Sequence, residues 1–219
     1  MRITIIDRHM LFADSLALTL EQEGYLVTPV EFNHADTSMA TVLAAGLRNA
    51  GRLVLLEHNL GRIGDGTRMI APLTASGAAV VLLTESNDPA QWGEAVRQGA
   101  QGVLRKTCTL TQVVATARRI HNGLPLMTPD QRAAVIATAL AQREEAHAIR
   151  LRLSLLTPCE MEILGLLMKG EQVRDIARTR VVVEATVRSQ IKSILAKLEM
   201  RSQLAAVGAA HRVGWRHQA

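Results

Sequence analysis

The sequence is poor in aromatic residues and cysteine, and it has no long uninterrupted apolar segment. Aromatic residues make up 2% of the 219 residues whereas 48% are hydrophobic, so Leu, Ile, Val and Ala must form any core. The two cysteines, Cys108 and Cys159, lack the spacing of a disulfide framework or a zinc site, and we expect reduced thiols in the cytoplasm. No apolar run reaches the roughly 18 residues of a membrane span. A strand-like segment begins at Arg2, so we expect no signal peptide.

Charge is distributed unevenly along the chain. Residues 1–150 contain 14 Lys/Arg and 14 Asp/Glu, whereas residues 151–219 contain 11 and 6, so the last third carries the whole net charge of +5. A basic segment that follows a neutral one is typical of a polyanion-binding module attached to a separate domain. A basic surface that only maintains solubility is the alternative interpretation.

Short apolar runs and helical stretches alternate over the first 125 residues or so. The runs are about five residues long and rich in Leu or β-branched residues, as expected of strands buried on both faces. They are Ile3–Asp7, Leu26–Val30, Leu53–Glu57, Ala79–Thr84 and Gly102–Lys106, and the predicted helices include Met10–Glu23, Thr37–Asn49, Asp88–Gln98 and Leu110–His121. Five strand–helix repeats predict a parallel, doubly wound sheet of the flavodoxin type.

The remaining residues favour helices. Residues 129–153 are rich in Ala, Gln, Glu and Arg without internal Gly or Pro, which predicts a linker helix. Thr157, Pro158 and Glu160 together predict a capped helix start. Shorter helices follow at about 172–179, from Glu184, and at about 202–211. In the third of these four helices the apolar side chains fall on one stripe, formed by Val187, Ile191, Ile194, Leu195 and Leu198.

Polar residues stand at the carboxyl ends of four predicted strands, where open parallel sheets place their ligands. These residues are Asp7 and Arg8, Glu57, Thr84 and Lys106. This pattern resembles the receiver domain of two-component response regulators over roughly residues 1–122. The resemblance implies an acidic pair after the first strand, a phospho-accepting Asp after the third, Ser or Thr after the fourth and Lys after the fifth. Thr84 and Lys106 match that pattern.

Two positions depart from the receiver pattern. Glu57 stands at the phospho-acceptor position, and Arg8 replaces the second acid of the pair. A hard divalent cation needs several anionic oxygen ligands, so we predict no bound metal, no cofactor and no metal-dependent phosphotransfer. Instead, Arg8 is expected to fork onto Glu57, with Asp7 as a further acceptor and Lys106 as a second donor, and to hold the domain in one state. A pocket for a small ligand or partner, and residual phosphorylation, are the alternatives.

The C-terminal segment resembles the LuxR/NarL-type helix-turn-helix domain over about 60 residues. The matching positions are Leu156-Thr157-Pro158, Glu160, Ile163-Leu164, Gly170, Asp175-Ile176-Ala177, Glu184 to Arg188, Ile194-Leu195, Lys197-Leu198 and Arg201-Ser202. Cys159, Val183 and Gln190 depart from the family, which usually has Arg, Ser and His there. The resemblance implies a four-helix domain that binds DNA.

A recognition helix that begins near Glu184 would enter the major groove with its N-terminal half. Arg188 and Lys192 are candidates for reading guanine or holding phosphate, and solvated side chains are the alternative for each. The further predicted DNA contacts, at the helix start, along its exposed side and on the flanks of the groove, are Thr186, Ser189, Gln190, Lys197, Arg174, Arg178 and Arg180.

The predicted partners are double-stranded DNA with a pseudo-palindromic site and a second copy of the chain. Leu204, Val207 and Gly208 on the last helix are the candidate dimerisation residues, with a core position inside the domain as the alternative for the first two. RNA polymerase is a further candidate partner. We predict a cytoplasmic, nucleoid-associated protein of bacterial type.

The complete prediction is an α/β plus all-α chain. It consists of a receiver-like domain at 1–124, a helical linker at 125–153 and a helix-turn-helix domain at 154–219. The predicted function is a DNA-binding transcription regulator that works without aspartate phosphorylation. The rival classes are an adaptor whose helical domain binds protein, and an enzyme. The enzyme class is disfavoured because the glycines of residues 61–66 lack the lysine of a phosphate-binding loop.

Overall fold

The computed structural model describes residues 1–31 and 37–217. Residues 218 and 219 of the predicted C-terminal domain therefore lie outside the described residues. Five strands are present: β1 (Arg2–Ile6), β2 (Leu26–Pro29), β3 (Leu53–Glu57), β4 (Ala79–Thr84) and β5 (Gly102–Arg105). The helices of the first part are α1 (Met10–Gln22), α2 (Met39–Arg48), α3 (Ile70–Ala75), α4 (Pro89–Arg97) and α5 (Leu110–His121). They are followed by α6 (Pro129–Leu153), α7 (Pro158–Met168), α8 (Val173–Thr179), α9 (Glu184–Leu198) and α10 (Gln203–Arg212).

The five strands form one parallel sheet in the order β2-β1-β3-β4-β5. This order is that of the flavodoxin-type doubly wound sheet, so the predicted fold of the first part is confirmed. The five predicted strand–helix repeats imply a helix between the third and fourth strands, for which no bounds were predicted. That segment holds two 3₁₀ turns, Gly61–Ile63 and Gly66–Met69, and then the short α3.

The central strands are buried on both faces, as their uninterrupted apolar runs predicted. Every residue of β3 is buried, and successive residues alternate between two apolar clusters. Val54 and Leu56 pack with α2 and α3 residues on one face, whereas Leu53 and Leu55 pack with α1 and α5 residues on the other. This two-sided core holds the carboxyl ends of the strands in fixed positions.

The chain divides into two compact units, Met1–Leu140 and Ala141–Ala219. The predicted separate linker at 125–153 is thus shared between them. Residues 129–140 pack within the first unit, because the Arg132 guanidinium donates to the carbonyls of Val96 and Ala100 at the end of α4. A Cβ atom on Gly93 of α4 would lie 2.2 Å from the Val135 carbonyl oxygen of α6, so these two helices are in close backbone contact.

The second unit is a helical domain with its own apolar core. Ile163, Ile176, Val187 and Ala209, from four successive helices, are buried together in it. The predicted capping box is confirmed, since the Thr157 hydroxyl accepts from the Glu160 N–H while the Glu160 carboxylate accepts from the Thr157 N–H. Within the described residues, no helix is long and apolar enough to cross a membrane.

Candidate functional site

Four strands bring polar side chains to one edge of the sheet. Asp7 follows β1, Glu57 ends β3, Thr84 ends β4 and Lys106 follows β5. Because β1, β3, β4 and β5 are consecutive in the sheet, their carboxyl ends lie side by side. Asp7 and Glu57 are only 5% and 2% exposed, so both carboxylates need internal partners.

The Lys106 ammonium is the partner of both acids. Its Nζ lies 2.8 and 2.7 Å from the two Asp7 carboxylate oxygens and 2.6 Å from Glu57 Oε1. The Lys106 side chain is 9% exposed, so these contacts are shielded from water and from salt. We call Asp7, Glu57 and Lys106 the acid–lysine cluster.

The predicted fork from Arg8 onto Glu57 is wrong. The Arg8 backbone N–H donates to Glu57 Oε2 at 2.8 Å, but the guanidinium approaches the same carboxylate only through Nε, 3.5 Å from Oε1. The guanidinium instead extends beside Gly61, whose position leaves room for it. Lys106 already occupies the near side of Glu57, so Arg8 is a neighbouring cation and Lys106 is the principal one.

Thr84 lies at the same edge but is turned towards the following loop. Its hydroxyl accepts from the Ser86 N–H at 3.0 Å, and the Ser86 carbonyl accepts from the Trp92 indole N–H of α4 at 3.0 Å. A cavity of about 440 Å³ opens between Arg8, Glu57, Thr84 and Ser86. The loop after β4 therefore connects the cavity wall to α4 through hydrogen bonds.

The sequence reasoning missed two residues of this site. His9 Nδ1 lies 2.9 Å from Lys106 Nζ and 3.2 Å from Glu57 Oε1, and the Phe12 ring centroid lies 5.0 Å from Nζ. Both residues sit where α1 begins, immediately after the strand that carries Asp7. Their position just after Asp7 in the sequence was the signal that could have identified them. It does not show which side of α1 faces the edge of the sheet.

The residues at this edge do not suit the Mg²⁺ ion that receiver domains use. Asp7, His9 and Glu57 offer ligand atoms within 4.8 Å of one another, yet Lys106 Nζ lies within 2.9 Å of an atom of each. With Arg8 alongside, two carboxylates face two basic side chains. A hard dication needs several anionic oxygens and a position free of cations, so this donor set is a poor magnesium site.

The second candidate site is the exposed side of α9. Val187, Ile194 and Leu198 are buried in the helical core, which confirms the predicted apolar stripe. The residues on the opposite side are exposed, as predicted, and they are Ala185, Thr186, Arg188, Ser189 and Lys192. Gln190 is half-buried at the margin of this side.

Two of the predicted DNA-contacting cations have carboxylate partners within the domain. Lys197 donates to the Glu160 carboxylate at 2.6 Å and to the Leu155 carbonyl at 3.2 Å, although its side chain is 32% exposed, and its DNA contact stays a prediction. Arg180 bonds to Glu162, and its side chain is 22% exposed. Both sit beside acidic residues of α7, which the helix periodicity of α9 alone did not reveal.

The other predicted cations are available at the surface. Arg174 is exposed, Arg178 lies 3.6 Å from Asp175, and Arg188 lies 3.3 Å from Glu184 one turn earlier in α9. Solvent-exposed pairs of this kind contribute little free energy. Arg178 and Arg188 can therefore exchange these carboxylates for another anion.

Glu160 is the centre of a second buried charge group, the Glu160 network. Its carboxylate accepts from the Ser193 hydroxyl at 2.6 Å, from Lys197 at 2.6 Å and from the Thr157 N–H at 2.7 Å. Burial alone would raise the pKa of Glu160, but these hydrogen bonds, that from Lys197 foremost, outweigh it and lower the pKa from 4.5 to about 2. This carboxylate links α7 to α9.

The candidate dimerisation residues on α10 differ from one another. Leu204 is 82% exposed and Gly208 has no atom within 4 Å of a Cβ placed on it, so both lie on an open surface. Val207 is half-buried and packs against the domain core. The alternative that these side chains belong to the core of their own domain therefore holds for Val207, and it is wrong for Leu204.

Comparison with known proteins identifies the helical domain. Residues 154–210 match the family model for bacterial regulatory proteins of the LuxR family. Over almost the whole chain, the sequence is similar to the probable transcriptional regulatory protein NarL of Mycobacterium tuberculosis, with 24% identity covering 96% of this chain and 94% of that protein. It is also similar to the transcriptional regulatory protein UhpA of Salmonella typhimurium, with 26% identity covering 97% and 98%.

A solved structure of the RcsB response regulator from Salmonella typhimurium shares this fold. The alignment covers 96% of this chain and 99% of RcsB, with 21% identity and a TM-score of 0.54. At this level the similarity concerns the fold. It supports the order of a parallel α/β domain followed by a helical domain.

Proposed function

This chain is a response regulator of the NarL/LuxR family, and on that premise we propose that it regulates transcription by binding DNA in a sequence-specific manner, with a first domain that works without phosphorylation. The observation that supports DNA binding is that α9 has one buried apolar side and one exposed basic side. Its buried stripe fixes the helix on the domain core, while Arg188 and Lys192 stand exposed on the opposite side. A helix held in this way can place its first two turns in the major groove.

The roles of the cations follow from their positions. Arg188, in the second turn of α9, suits bidentate contact with guanine O6 and N7. Lys192, one turn later, and Arg174 and Arg178 on α8 suit phosphates, which supply affinity but little sequence information. Thr186 and Ser189 supply hydroxyl contacts to backbone or bases beside them.

A binding measurement tests this arrangement. We expect the full chain to bind a duplex obtained by binding-site selection, with an affinity that falls steeply as salt concentration rises. Arg188→Ala should raise Kd about 10-fold to 100-fold and relax the preference at one base pair. Lys192→Ala should weaken all duplexes alike and lower the salt slope by about one unit.

The control is Arg150→Ala, which removes an exposed arginine from α6 in the same unit. This variant should bind like the unmodified protein. Equal losses from Arg150→Ala and Arg188→Ala would mean that only total charge matters, and the recognition-helix assignment would be abandoned. Retained binding by Arg188→Ala with capture of a protein partner would favour the adaptor alternative.

Phosphorylation independence is supported by the electrostatics of the acid–lysine cluster. Asp7 and Glu57 are both held by Lys106 within 2.8 Å, and Arg8 places a second cation at the cavity. Glu57 also carries one methylene more than the aspartate found at this position in receivers. Lys106 and Arg8 thus place two cationic side chains beside these carboxylates, where a receiver domain would bind a metal cation.

The test is a mass measurement after incubation with acetyl phosphate and Mg²⁺. We expect no phosphate adduct on the unmodified chain, and an adduct on the double variant Arg8→Asp, Glu57→Asp, which restores the acidic residues. A stoichiometric adduct on the unmodified chain at neutral pH would contradict the proposal. DNA binding by the unmodified chain, measured in parallel, should be the same with and without acetyl phosphate.

We further propose that the protein acts as a homodimer on a pseudo-palindromic site in the bacterial nucleoid, and RNA polymerase is a candidate contact there. The exposed Leu204 and the open surface at Gly208 support α10 as the dimer contact. Leu204→Glu should convert binding of the full site to binding of a half-site, as read from the stoichiometry of the complex. Unchanged stoichiometry would place the dimer contact elsewhere.

A further inference from the structure

The turn between α8 and α9 contains three exposed valines. Val181 is 90% exposed and Val183 is 68% exposed, while Val182 between them is 39% exposed. Apolar side chains this exposed bury little surface within the domain and gain little from it. The neighbouring positions 184–186 are exposed as well, so the turn and the start of α9 form one continuous surface.

Val181 has a backbone conformation that disfavours valine. Its φ is 55°, and it follows α8 in a Schellman motif. In this motif the Val181 N–H donates to the Arg178 backbone carbonyl, and the Val182 N–H donates to the Ala177 backbone carbonyl. Glycine fills the same position after α7, as Gly170 with φ of 86°, and after α10, as Gly214 with φ of 66°. A β-branched residue is strained in this region, whereas glycine is not.

Val183 is also unfavourable where it stands. It is the N-cap residue of α9 and makes no side-chain hydrogen bond to the helix. Two other helices of the same domain have capping side chains, since Thr157 caps α7 and Ser202 caps α10. A valine at this position leaves backbone N–H groups of the first turn to the solvent.

Another non-glycine residue of the domain with a positive φ makes a side-chain contact within the domain, unlike Val181. Glu199, after α9, has a positive φ of 57°, and its carboxylate binds the Arg152 guanidinium at 2.5 Å. Val181 points into solvent instead. Two positions one residue apart that break local rules without packing inside the domain are typical of a surface selected for an external contact.

We propose that Val181 and Val183 form an apolar pair that contacts thymine methyl groups at the edge of the site read by α9. This inference rests on the proposed DNA binding. Exposed cations precede and follow the pair, Arg178 on α8 and Arg188 on α9. Each has only an exposed carboxylate as a partner, Asp175 and Glu184, which it can exchange for a DNA phosphate. The C5-methyl group of thymine is the apolar feature of the major groove, and small aliphatic side chains contact it. The pair therefore gives the protein a preference for thymine beside the bases that Arg188 reads.

The experiment uses the duplex selected by the unmodified full chain. Each thymine is replaced in turn by deoxyuridine, which lacks only the C5-methyl group, and Kd is measured for every duplex. We expect Kd to rise about 3-fold to 10-fold at one or two positions and to stay constant at the others. Val181→Gly and Val183→Ser should weaken binding to the thymine duplex by a similar factor. Each variant should lose the sensitivity to deoxyuridine at one of those positions.

Thermal unfolding separates this role from a structural one. Val181→Gly and Val183→Ser remove the unfavourable local features, so both variants should unfold at the same or a higher temperature while they bind more weakly. Glu199→Gly is the matched control, because it relieves a positive φ away from the turn and should leave deoxyuridine sensitivity unchanged.

The possible results separate the valine contact from the proposed DNA binding. An unmodified chain that binds its selected duplex with no effect of any deoxyuridine overturns the valine contact and leaves the proposed function standing. Variants that keep the sensitivity of the unmodified chain overturn it as well. A chain that binds no duplex at low salt overturns both proposals. The deoxyuridine series needs no variant, so it decides the question even if a substitution prevents folding.

Discussion

Each unit of this protein pairs a lysine ammonium with buried carboxylate oxygens, and the surroundings of the two groups differ. In the acid–lysine cluster one ammonium serves two nearly inaccessible carboxylates, Asp7 and Glu57. In the Glu160 network one carboxylate receives hydrogen bonds from Lys197, Ser193 and the start of its own helix. The first group has more anionic than cationic charge among its members, and the second is balanced.

The balance indicates what each group does. A fully satisfied carboxylate between two helices holds those helices together. Both carboxylates of the acid–lysine cluster share the Lys106 ammonium, so this edge of the sheet is expected to be sensitive to any change at Lys106. Similar charge chemistry thus links two helices in the second unit and joins the ends of three strands in the first.

The largest expected effect comes from removal of the shared lysine. Lys106→Met leaves two buried carboxylates facing each other, and we expect a loss of about 3–5 kcal/mol in the free energy of unfolding of the first unit. Urea unfolding followed through Trp92 fluorescence measures it. Lys169→Met, at an exposed lysine, is the control. Equal stability of the two variants would show that Arg8 or His9 takes over the role of Lys106.

The corresponding change in the second unit should be smaller. Glu160→Gln keeps the shape of the side chain but removes the charge that Lys197 and the helix start stabilise. Since the pKa of Glu160 is lowered to about 2, we expect a loss of about 2–3 kcal/mol near neutral pH. Trp215 fluorescence reports the unfolding of this unit, and Glu171→Gln, at an exposed position, is the control. A loss no larger than that of the control would contradict the structural role of the network.

The stability of the second unit should also depend on pH in a defined direction. The folded-state pKa of Glu160 is about 2 against an ordinary 4.5, so the unfolded chain takes up the proton first as the solution is acidified. The contribution of Glu160 is complete above about pH 4.5 and disappears as the pH falls towards 2. The difference between the unmodified chain and Glu160→Gln should shrink over that interval, and a constant difference would assign the effect to packing.

The smallest expected effect concerns the ring beside Lys106. Phe12→Leu keeps an apolar side chain but removes the cation–π contact at 5.0 Å, which should lower the stability of the first unit by about 0.5–1 kcal/mol. In the Lys106→Met background the same substitution should have little effect. Additive losses would mean that Phe12 acts through the core and not through the ammonium.

Most of the first domain was predictable because its central strands are buried on both faces. Runs such as Leu53–Glu57 are apolar without alternation, and regular spacing of five such runs leaves few topologies. The segment after β3 was not predictable in the same way. It contains 3₁₀ turns and an α3 of six residues with Pro72 inside, and so short a helix has no periodicity to detect.

The candidate sites were predicted in outline, and the pairing of charges within them was not. The residues at the strand ends followed from topology, but the choice between Arg8 and Lys106 as the partner of Glu57 depends on side-chain rotamers and on the space beside Gly61. Lys197 matched a family position and was assigned to the exposed side of its helix. In the structure it forms a salt bridge with Glu160 on another helix. The left-handed backbone at Val181 could not be predicted, because glycine or asparagine is the residue expected at such a position.

The contact between α4 and α6 determines how the protein can be divided for experiments. A shortened protein that ends at residue 124, where the sequence suggests a boundary, would lose the two hydrogen bonds from Arg132 and uncover the side of α4 around Gly93. The newly exposed apolar surface would favour aggregation. An N-terminal fragment intended for isolated study should therefore extend to residue 140, so that the first part of α6 still packs against α4.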